Sequence, residues 1–227
     1  MAFNTRHLKF FLGTMRLPRR TNFIQGPQMI DSSIRHRIDP VFNAIGRTLS
    51  SMGITANQVT ITGFALGMMA LPLLAFEMYY SALLMGTLNR VCDALDGAIA
   101  RDQGITDVGG YLDIVLDFIF YSAVVFGFIL AQPEQAVYGA FLIFSFIGSG
   151  TSFLAYSIFA AKNNLTTEAR GIKSIYYLGG LTEGFETIIT FILMCLLPAY
   201  FWLIAAIFGT LCWISTAARI HRAMTTL

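Results

Sequence analysis

Six long apolar segments constrain this chain more than any other feature of its sequence. They cover approximately residues 58–76, 79–100, 107–132, 136–161, 182–197 and 199–218. Most of them reach the roughly 20 residues that an α-helix needs to cross the hydrocarbon core of a bilayer. The chain as a whole is 56% hydrophobic and only 12% charged, which is too apolar for a soluble domain of this size. We therefore expect an all-α membrane protein with six transmembrane helices.

A basic segment precedes the first of these helices. We divide the chain into a cytoplasmic N-terminal segment, residues 1–52, and a six-helix membrane domain, residues 53–227. In the N-terminal segment, apolar residues recur every three or four positions: Ile30, Ile34, Ile38, Phe42, Ile45 and Leu49. Polar and cationic residues fill the opposite face, which predicts an amphipathic helix lying in the membrane interface. Packing of this helix against its own membrane domain is compatible with the same pattern, and Pro40 is expected to kink or break it.

The distribution of Lys and Arg predicts the orientation in the membrane. The first, third and fifth turns between the apolar segments, around Glu77, Pro133 and Pro198, contain no Lys or Arg. The remaining turns and both termini do contain them. Because basic residues accumulate on the cytoplasmic side, we expect both termini to be cytoplasmic.

Four carboxylates lie inside or beside two neighbouring apolar segments. Asp93 and Asp96 come near the end of the second segment, and Asp113 and Asp117 near the start of the third. Spacings of three and four residues place each pair on one helix face. Ionised groups in membrane helices indicate a functional site, and several like charges together need a neutralising partner. A bound divalent cation, or a pair of them, would be that partner, at the cytoplasmic face.

One cation, Arg90, lies within the second segment, three residues before Asp93 and on the same helix face. Intramembrane charges usually pair with one another. We therefore favour an internal ion pair with Asp93, Glu183 or Glu186 over direct contact with a substrate.

The carboxylates belong to a longer pattern that resembles the signature of a known family. Residues 93–101 read D-A-L-D-G-A-I-A-R, and Gly109, Asp113 and Asp117 follow. This resembles the pattern D-x2-D-G-x2-A-R-x8-G-x3-D-x3-D of the CDP-alcohol phosphatidyltransferases, with seven residues instead of eight after the arginine. Residues 53–60, G-I-T-A-N-Q-V-T, are similar to the family's entry into the first membrane helix, with alanine where proline is usual.

The resemblance implies an activity and a role for each residue of the pattern. The activity is transfer of a phosphatidyl group from CDP-diacylglycerol or a related CDP-lipid to an alcohol, with release of CMP, in phospholipid biosynthesis at the bacterial inner membrane. One or two Mg2+ or Mn2+ ions would be bound by four ligands: Asp93, Asp96, Asp113 and Asp117. Asp117 would also be the catalytic base that takes the proton of the acceptor hydroxyl. The CDP group would be bound by Gly97, Ala100, Arg101 and Gly109.

The identity of the acceptor alcohol stays open. Candidate acceptor-binding residues lie around the cytoplasmic connection before the fifth segment: Lys162, Arg170, Lys173, Glu183 and Glu186. The cations would suit a phosphorylated alcohol, although basic residues also gather there for topological reasons. The glutamates either line the acceptor pocket or pair with Arg90.

Further partners and one alternative function follow from the helices. Gly63 and Gly67 form a GxxxG pattern that permits close helix contact and suggests a homodimer; membrane lipids are expected partners, and nucleic acid is not. A cation- or proton-coupled transporter would also carry carboxylates in membrane helices. Transporters typically hold them near mid-bilayer, in discontinuous helices or repeats, whereas these cluster near one face, which favours the transferase.

Overall fold

The computed structural model describes residues 30–163 and 184–227, with side chains from Pro40 onward. Every regular element in these ranges is a helix. The α-helices, in chain order, are α1 Ile30–Ser51, α2 Ala56–Met68, α3 Ala70–Ala75, α4 Tyr79–Gln103, α5 Asp107–Ala131, α6 Ala136–Lys162, α7 Gly184–Leu196 and α8 Phe201–Thr226. Short 3-10 turns, Pro133–Gln135 and Pro198–Tyr200, lead into α6 and α8. The predicted all-α fold is confirmed for the described residues.

Four helical units in these ranges are long and apolar enough to cross a membrane. They are Ala56–Ala75, which combines α2 and α3, Asp107–Ala131, Pro133–Lys162 and Pro198–Thr226. By contrast, α7 is apolar but has only 13 residues, and α4 carries five charged residues among its 25. A helix satisfies its backbone polar groups internally, as lipid requires. The four units agree with a membrane protein, and the full count of six spans stays a prediction.

The N-terminal helix α1 packs on α4. It continues through Pro40 without interruption, so of the kink or break predicted at this residue the break is wrong. Gly46 is buried, and a Cβ atom added there would lie 2.7 Å from the Cβ of Ala98 in α4. Close packing of its second half offsets the loss of the hydrogen bond that proline cannot donate. The structure therefore agrees with packing of α1 against its own membrane domain.

Small residues bring α2 equally close to α4. A Cβ atom added at Gly63 would lie 2.5 Å from the Cβ of Cys92, and one added at Gly67 would lie 2.9 Å from the side chains of Asn89 and Phe120. Both glycines are buried. The close contact predicted from the GxxxG pattern is thus made within one chain, so this pattern no longer supports a homodimer.

The connection between α4 and α5 is three residues long. Gly104, after α4, has a φ of 104°, a region that favours glycine. Thr106 then caps α5, since its Oγ1 accepts a hydrogen bond of 3.1 Å from the backbone N–H of Gly109. This turn lies within the segment between Arg101 and Gly109 that is one residue shorter than the family pattern. The turn reverses the direction of the chain, so that the acidic residues of α5 face those of α4.

Candidate active site

Three acidic side chains converge between α4 and α5. Asp93 and Asp96 come from α4 and Asp113 from α5, and one carboxylate oxygen of each lies within 4.8 Å of the others. The spacing of three residues puts the first two on one face of α4. The structure therefore brings together three of the four residues predicted to bind metal. Their oxygen atoms suit a hard divalent cation, so the residues present fit the Mg2+ or Mn2+ that the resemblance implies.

Asp96 is the least exposed of these three residues. It is 6% exposed, and its Oδ2 accepts a hydrogen bond of 2.6 Å from Thr60 Oγ1 of α2. Thr60 was not predicted as a site residue, although it ends the G-I-T-A-N-Q-V-T stretch. The capping box between Thr55 and Gln58 fixes the start of α2 at Ala56. The start of the helix in turn sets where the Thr60 hydroxyl lies.

Asp117 is engaged by a different set of groups. Its Oδ1 accepts a hydrogen bond of 2.5 Å from Arg90 Nη2, and its Oδ2 accepts one of 3.2 Å from Arg90 Nη1. The hydroxyl of Tyr121 also donates to Oδ2, at 3.0 Å. Arg90 lies 3.7 Å from Asp93 Oδ2 as well. The predicted ion pair with Asp93 is confirmed, but the closer partner, Asp117, was missed.

The missed pair has a signal in the sequence, namely the register of two helices joined by a tight turn. Arg90 lies 15 residues before the middle of the turn at residue 105, and Asp117 and Tyr121 lie 12 and 16 residues after it. Helices that run in opposite directions from a three-residue turn therefore bring Arg90 level with this part of α5. The length of the turn could not be known before the structure.

The remaining donors of Arg90 are also used. Asn89 Oδ1 accepts from Nε at 2.8 Å and from Nη2 at 2.5 Å, while Asn89 Nδ2 donates to the backbone oxygen of Gly63 at 2.9 Å. Tyr121 Oη accepts from Nη1 at 3.1 Å. The guanidinium also lies over the rings of Phe120 and Tyr121, 5.1 and 5.4 Å from their centroids. The Arg90 side chain is 13% exposed, and each nitrogen of its guanidinium donates to a protein oxygen.

The residues predicted to bind CDP lie beside the carboxylates, toward the end of α4. Gly97 and Ala100 are half-buried, and Arg101 is exposed. Asn43 Oδ1 of α1 accepts hydrogen bonds from Arg101 Nε and Nη2, at 3.3 and 2.9 Å. Gly109 lies in the first turn of α5, where an added Cβ atom would be 3.2 Å from Asn57 Oδ1. The side chain of Asn43 was not predicted to take part.

The predicted acceptor-binding residues are only partly described. Lys162 is exposed at the end of α6, and Glu186 is half-buried in the first turn of α7. The start of α7 lies near Tyr121, which pairs with Arg90 and Asp117. A Cβ atom added at Gly184 would be 3.8 Å from Tyr121 Oη. The other three candidates lie outside the described residues: Arg170, Lys173 and Glu183.

A cavity lies between the four carboxylates and Arg90. It is lined by residues of α2, α4 and α5: Thr60, Gly63, Phe64, Asn89, Arg90, Asp93, Asp96, Asp113, Leu116 and Asp117. All four predicted metal ligands therefore face a common space, with Arg90 on the side of Asp117.

The sequence profile described as CDP-alcohol phosphatidyltransferase matches residues 53–221. This range contains α2 to α7, most of α8, and every residue that lines the cavity. The chain belongs to this family. Membership identifies a phosphatidyltransferase rather than the cation- or proton-coupled transporter considered above.

Two related sequences extend this result. The inner membrane protein YnjF of Escherichia coli (strain K12) is 51% identical over 200 residues, which cover 88% of this chain and 97% of YnjF. The archaetidylinositol phosphate synthase of Pyrococcus horikoshii is 38% identical over 104 residues, which cover 44% of this chain and 53% of that protein. The first relationship extends over nearly the whole chain.

Solved structures of another CDP-alcohol phosphatidyltransferase share the fold. Mycobacterium tuberculosis phosphatidylinositol phosphate synthase (PgsA1) with CDP-DAG bound has a TM-score of 0.65 at 22% identity, over 82% of this chain and 94% of that chain. Its complex with manganese and citrate gives the same TM-score over 81% and 89% of the two chains. At this level of identity the likeness concerns the fold.

Proposed function

We propose that this protein transfers a phosphatidyl group from a CDP-linked lipid, such as CDP-diacylglycerol, to an alcohol and releases CMP, as a step of phospholipid biosynthesis. The observation that carries the proposal is the convergence of the Asp93, Asp96 and Asp113 carboxylates within 4.8 Å inside the family's signature. The solved relatives, one with CDP-DAG and one with manganese, support both the donor and the metal.

One or two Mg2+ or Mn2+ ions are assigned to these three carboxylates, with Asp117 completing the predicted ligand set. When bound, such an ion neutralises charge that develops on the phosphoryl oxygens. The hydroxyl of Thr60 fixes the orientation of Asp96 by its 2.6 Å hydrogen bond, as outer partners of metal ligands commonly do.

The end of α4 is assigned to the CDP group. Gly97 and Ala100 keep the helix face beside the carboxylates free of bulk, and Gly109 does the same at the start of α5. Arg101 is exposed and would pair with phosphate oxygens through its planar guanidinium. Its contact with Asn43 holds this side chain at the end of α4.

Asp117 is assigned as the base. Its carboxylate takes the proton of the acceptor hydroxyl, the hydroxyl oxygen forms a bond to the phosphorus of the donor, and the bond from phosphorus to the CMP oxygen breaks. The phosphatidyl group is then on the acceptor, and CMP leaves with the electron pair of the broken bond.

The acceptor is assigned only by its charge. Lys162, Arg170 and Lys173 would attract a phosphorylated alcohol such as glycerol 3-phosphate or inositol phosphate, while Glu183 and Glu186 would contact its hydroxyl groups. The location of Glu186 in the helix that begins beside Tyr121 supports a place for the acceptor next to Asp117.

We further assign the protein to the bacterial inner membrane, with six spans, cytoplasmic termini and a cytoplasmic active site. The description of YnjF as an inner membrane protein supports the location, and the distribution of Lys and Arg supports the orientation. In this arrangement α1 lies in the interface with its exposed side toward the headgroups.

The proposal is tested with purified full-length protein, CDP-diacylglycerol and a panel of phosphorylated and free alcohols, with CMP release and lipid product both measured. We expect one acceptor class to give equal amounts of CMP and new lipid, and EDTA to stop the reaction. CMP release without any lipid product would contradict transfer, and activity that survives EDTA would contradict the metal.

A further inference from the structure

The proposed reaction gives no task to Arg90, the cation in the middle of α4. An arginine inside a membrane helix is costly, and such residues are typically paired and functional. Here the pairing is extensive, because Asn89, Asp117 and Tyr121 together accept from Nε, Nη1 and Nη2 at 2.5–3.2 Å. A substrate would have to displace these partners to reach the guanidinium. Arg90 is therefore arranged to hold protein groups, and not to bind a ligand directly.

The main group that it holds is the carboxylate of Asp117. The two hydrogen bonds from Nη1 and Nη2 reach the two oxygens of the same carboxylate. This bidentate arrangement fixes the plane of the carboxylate as well as its position. Tyr121 supports the same geometry, since its hydroxyl accepts from Arg90 and donates to Asp117 Oδ2.

The two oxygens of Asp117 differ in what they accept. A carboxylate oxygen has two lone pairs. Within the described residues, Oδ2 accepts from Arg90 and from Tyr121, whereas Oδ1 accepts from Arg90 alone. Oδ1 thus keeps an acceptor position, and both residues line the same cavity.

We infer that Arg90 is a positioning residue, which holds Asp117 so that Oδ1 receives the proton of the acceptor hydroxyl. The inference rests on the proposed function. In the step itself, the proton moves from the hydroxyl to Oδ1, the hydroxyl oxygen bonds to the donor phosphorus, and CMP leaves with the electron pair of the broken bond. Arg90 forms and breaks no covalent bond and keeps its charge throughout.

The test compares Arg90→Met, Arg90→Lys and Tyr121→Phe in the purified full-length protein. For Arg90→Met we expect kcat to fall about 10- to 100-fold, since small misplacements of a reacting group cost up to about that much. The KM for CDP-diacylglycerol should stay within about threefold of the wild-type value, because binding of the donor is not removed. Arg90→Lys keeps the charge without the fork and should recover part of kcat, while Tyr121→Phe should show a smaller loss of kcat alone.

Binding of Mn2+, followed by EPR on the same variants, supplies a readout independent of turnover. We expect Arg90→Met to bind Mn2+ at least as tightly as the wild type, because a positive charge 3.7 Å from Asp93 has been removed. The matched control is Arg222→Met, which alters an exposed arginine near the end of α8, and it should change none of these values.

The contrary outcomes are distinct. Wild-type kcat in Arg90→Met would overturn the inference, and a KM that rises in step with the lost rate would identify a direct substrate contact in its place. Loss of Mn2+ binding in both the Met and the Lys variants would show a merely structural role and would also overturn it. A wild-type protein that forms no lipid with any acceptor would overturn the proposed function itself.

Discussion

At the scale of single residues, the four carboxylates fall into two groups with different surroundings. Asp93, Asp96 and Asp113 converge with their oxygens within 4.8 Å. Arg90 lies 3.7 Å from Asp93, but three like charges converge at this point, and a divalent ion would relieve their repulsion. Asp117 already has a guanidinium against both oxygens. Substitution should therefore affect the two groups differently.

The first group is expected to fail through metal binding. We expect Asp93→Asn, Asp96→Asn and Asp113→Asn each to lower CMP release by at least about 10²-fold, because a metal ion contributes several kcal/mol of transition-state stabilisation. Mn2+ titration should show weakened binding, with partial recovery of activity at raised Mg2+. Asp102→Asn, an exposed position on the same helix, is the control. Full activity at ordinary Mg2+ in any of the three variants would rule out that residue as a ligand.

The second group is expected to fail through chemistry. For Asp117→Asn we expect turnover to fall roughly 10²–10⁴-fold, the usual contribution of a general base, with much less effect on affinity for the CDP-lipid. Equilibrium binding of the donor, measured beside kcat, separates the two quantities. Affinity that falls in parallel with turnover would mean that Asp117 acts mainly as a metal ligand, with Glu183 and Glu186 the next candidates for the base.

At the scale of helices, the site depends on how closely α2 approaches α4. Thr60 of α2 reaches Asp96, Asn89 of α4 reaches the backbone of Gly63, and Gly63 and Gly67 leave no room for a larger residue. Any separation of these two helices therefore moves the hydrogen-bond partners of both Asp96 and Arg90. We therefore expect the site to be sensitive to the packing of α2 against α4.

This dependence predicts the effect of a single methyl group. We expect Gly63→Ala to lower stability by about 1–3 kcal/mol, the usual cost of overpacking, and to lower activity because α2 has to shift. Thermal unfolding in detergent and CMP release are the measurements. Gly86→Ala is the matched control, since its added Cβ atom would make an ordinary contact of 3.7 Å with Phe120. Equal behaviour of the two variants would contradict the proposed coupling.

Comparison of the observed helices with the apolar segments shows which helix bounds the sequence predicted. The second, third and fourth apolar segments agree with α4, α5 and α6 to within three residues at each end, because apolarity over about 20 residues is a strong signal. The sixth segment was predicted to end at residue 218, whereas α8 continues to Thr226, since a helix need not stop where the hydrocarbon core does. The first segment is interrupted at Met69 between α2 and α3.

The site was predictable only as far as local spacing reaches. Four carboxylates were grouped because three-residue and four-residue spacings define helix faces, and three of them, Asp93, Asp96 and Asp113, do converge. Thr60, Asn43 and the pairing of Arg90 with Asp117 depend on which helices pack together and in what register. Those facts are set by glycine contacts and turn lengths that lie far from the acidic residues in the sequence.

At the scale of the whole molecule, the orientation in the membrane decides from which side the substrates arrive. We expect a cysteine introduced near Arg170 to react with a membrane-impermeant reagent only after the cells are opened. The turns assigned to the opposite side of the membrane, around Glu77, Pro133 and Pro198, carry no Lys or Arg, which predicts that the turn at Arg170 lies on the cytoplasmic side. A cysteine introduced near Glu134 is the control and should react in intact cells. Labelling near Arg170 from outside intact cells would contradict the cytoplasmic assignment.

The pairing of Arg90 with Asp117 has a consequence for how the protein enters the bilayer. On the proposed topology α4 must cross the membrane, yet an arginine or aspartate at mid-helix costs about 2.5–3.5 kcal/mol each in translocon insertion. Asp93 of α4 lies 3.7 Å from Arg90, but the closer counter-charge, Asp117, lies on α5, 27 residues later in the chain. Arg90 therefore gains its closest ion pair only after Asp117 has been synthesised. We therefore expect α4 to enter the bilayer together with α5, as a hairpin joined by the three-residue connection at Gly104–Thr106.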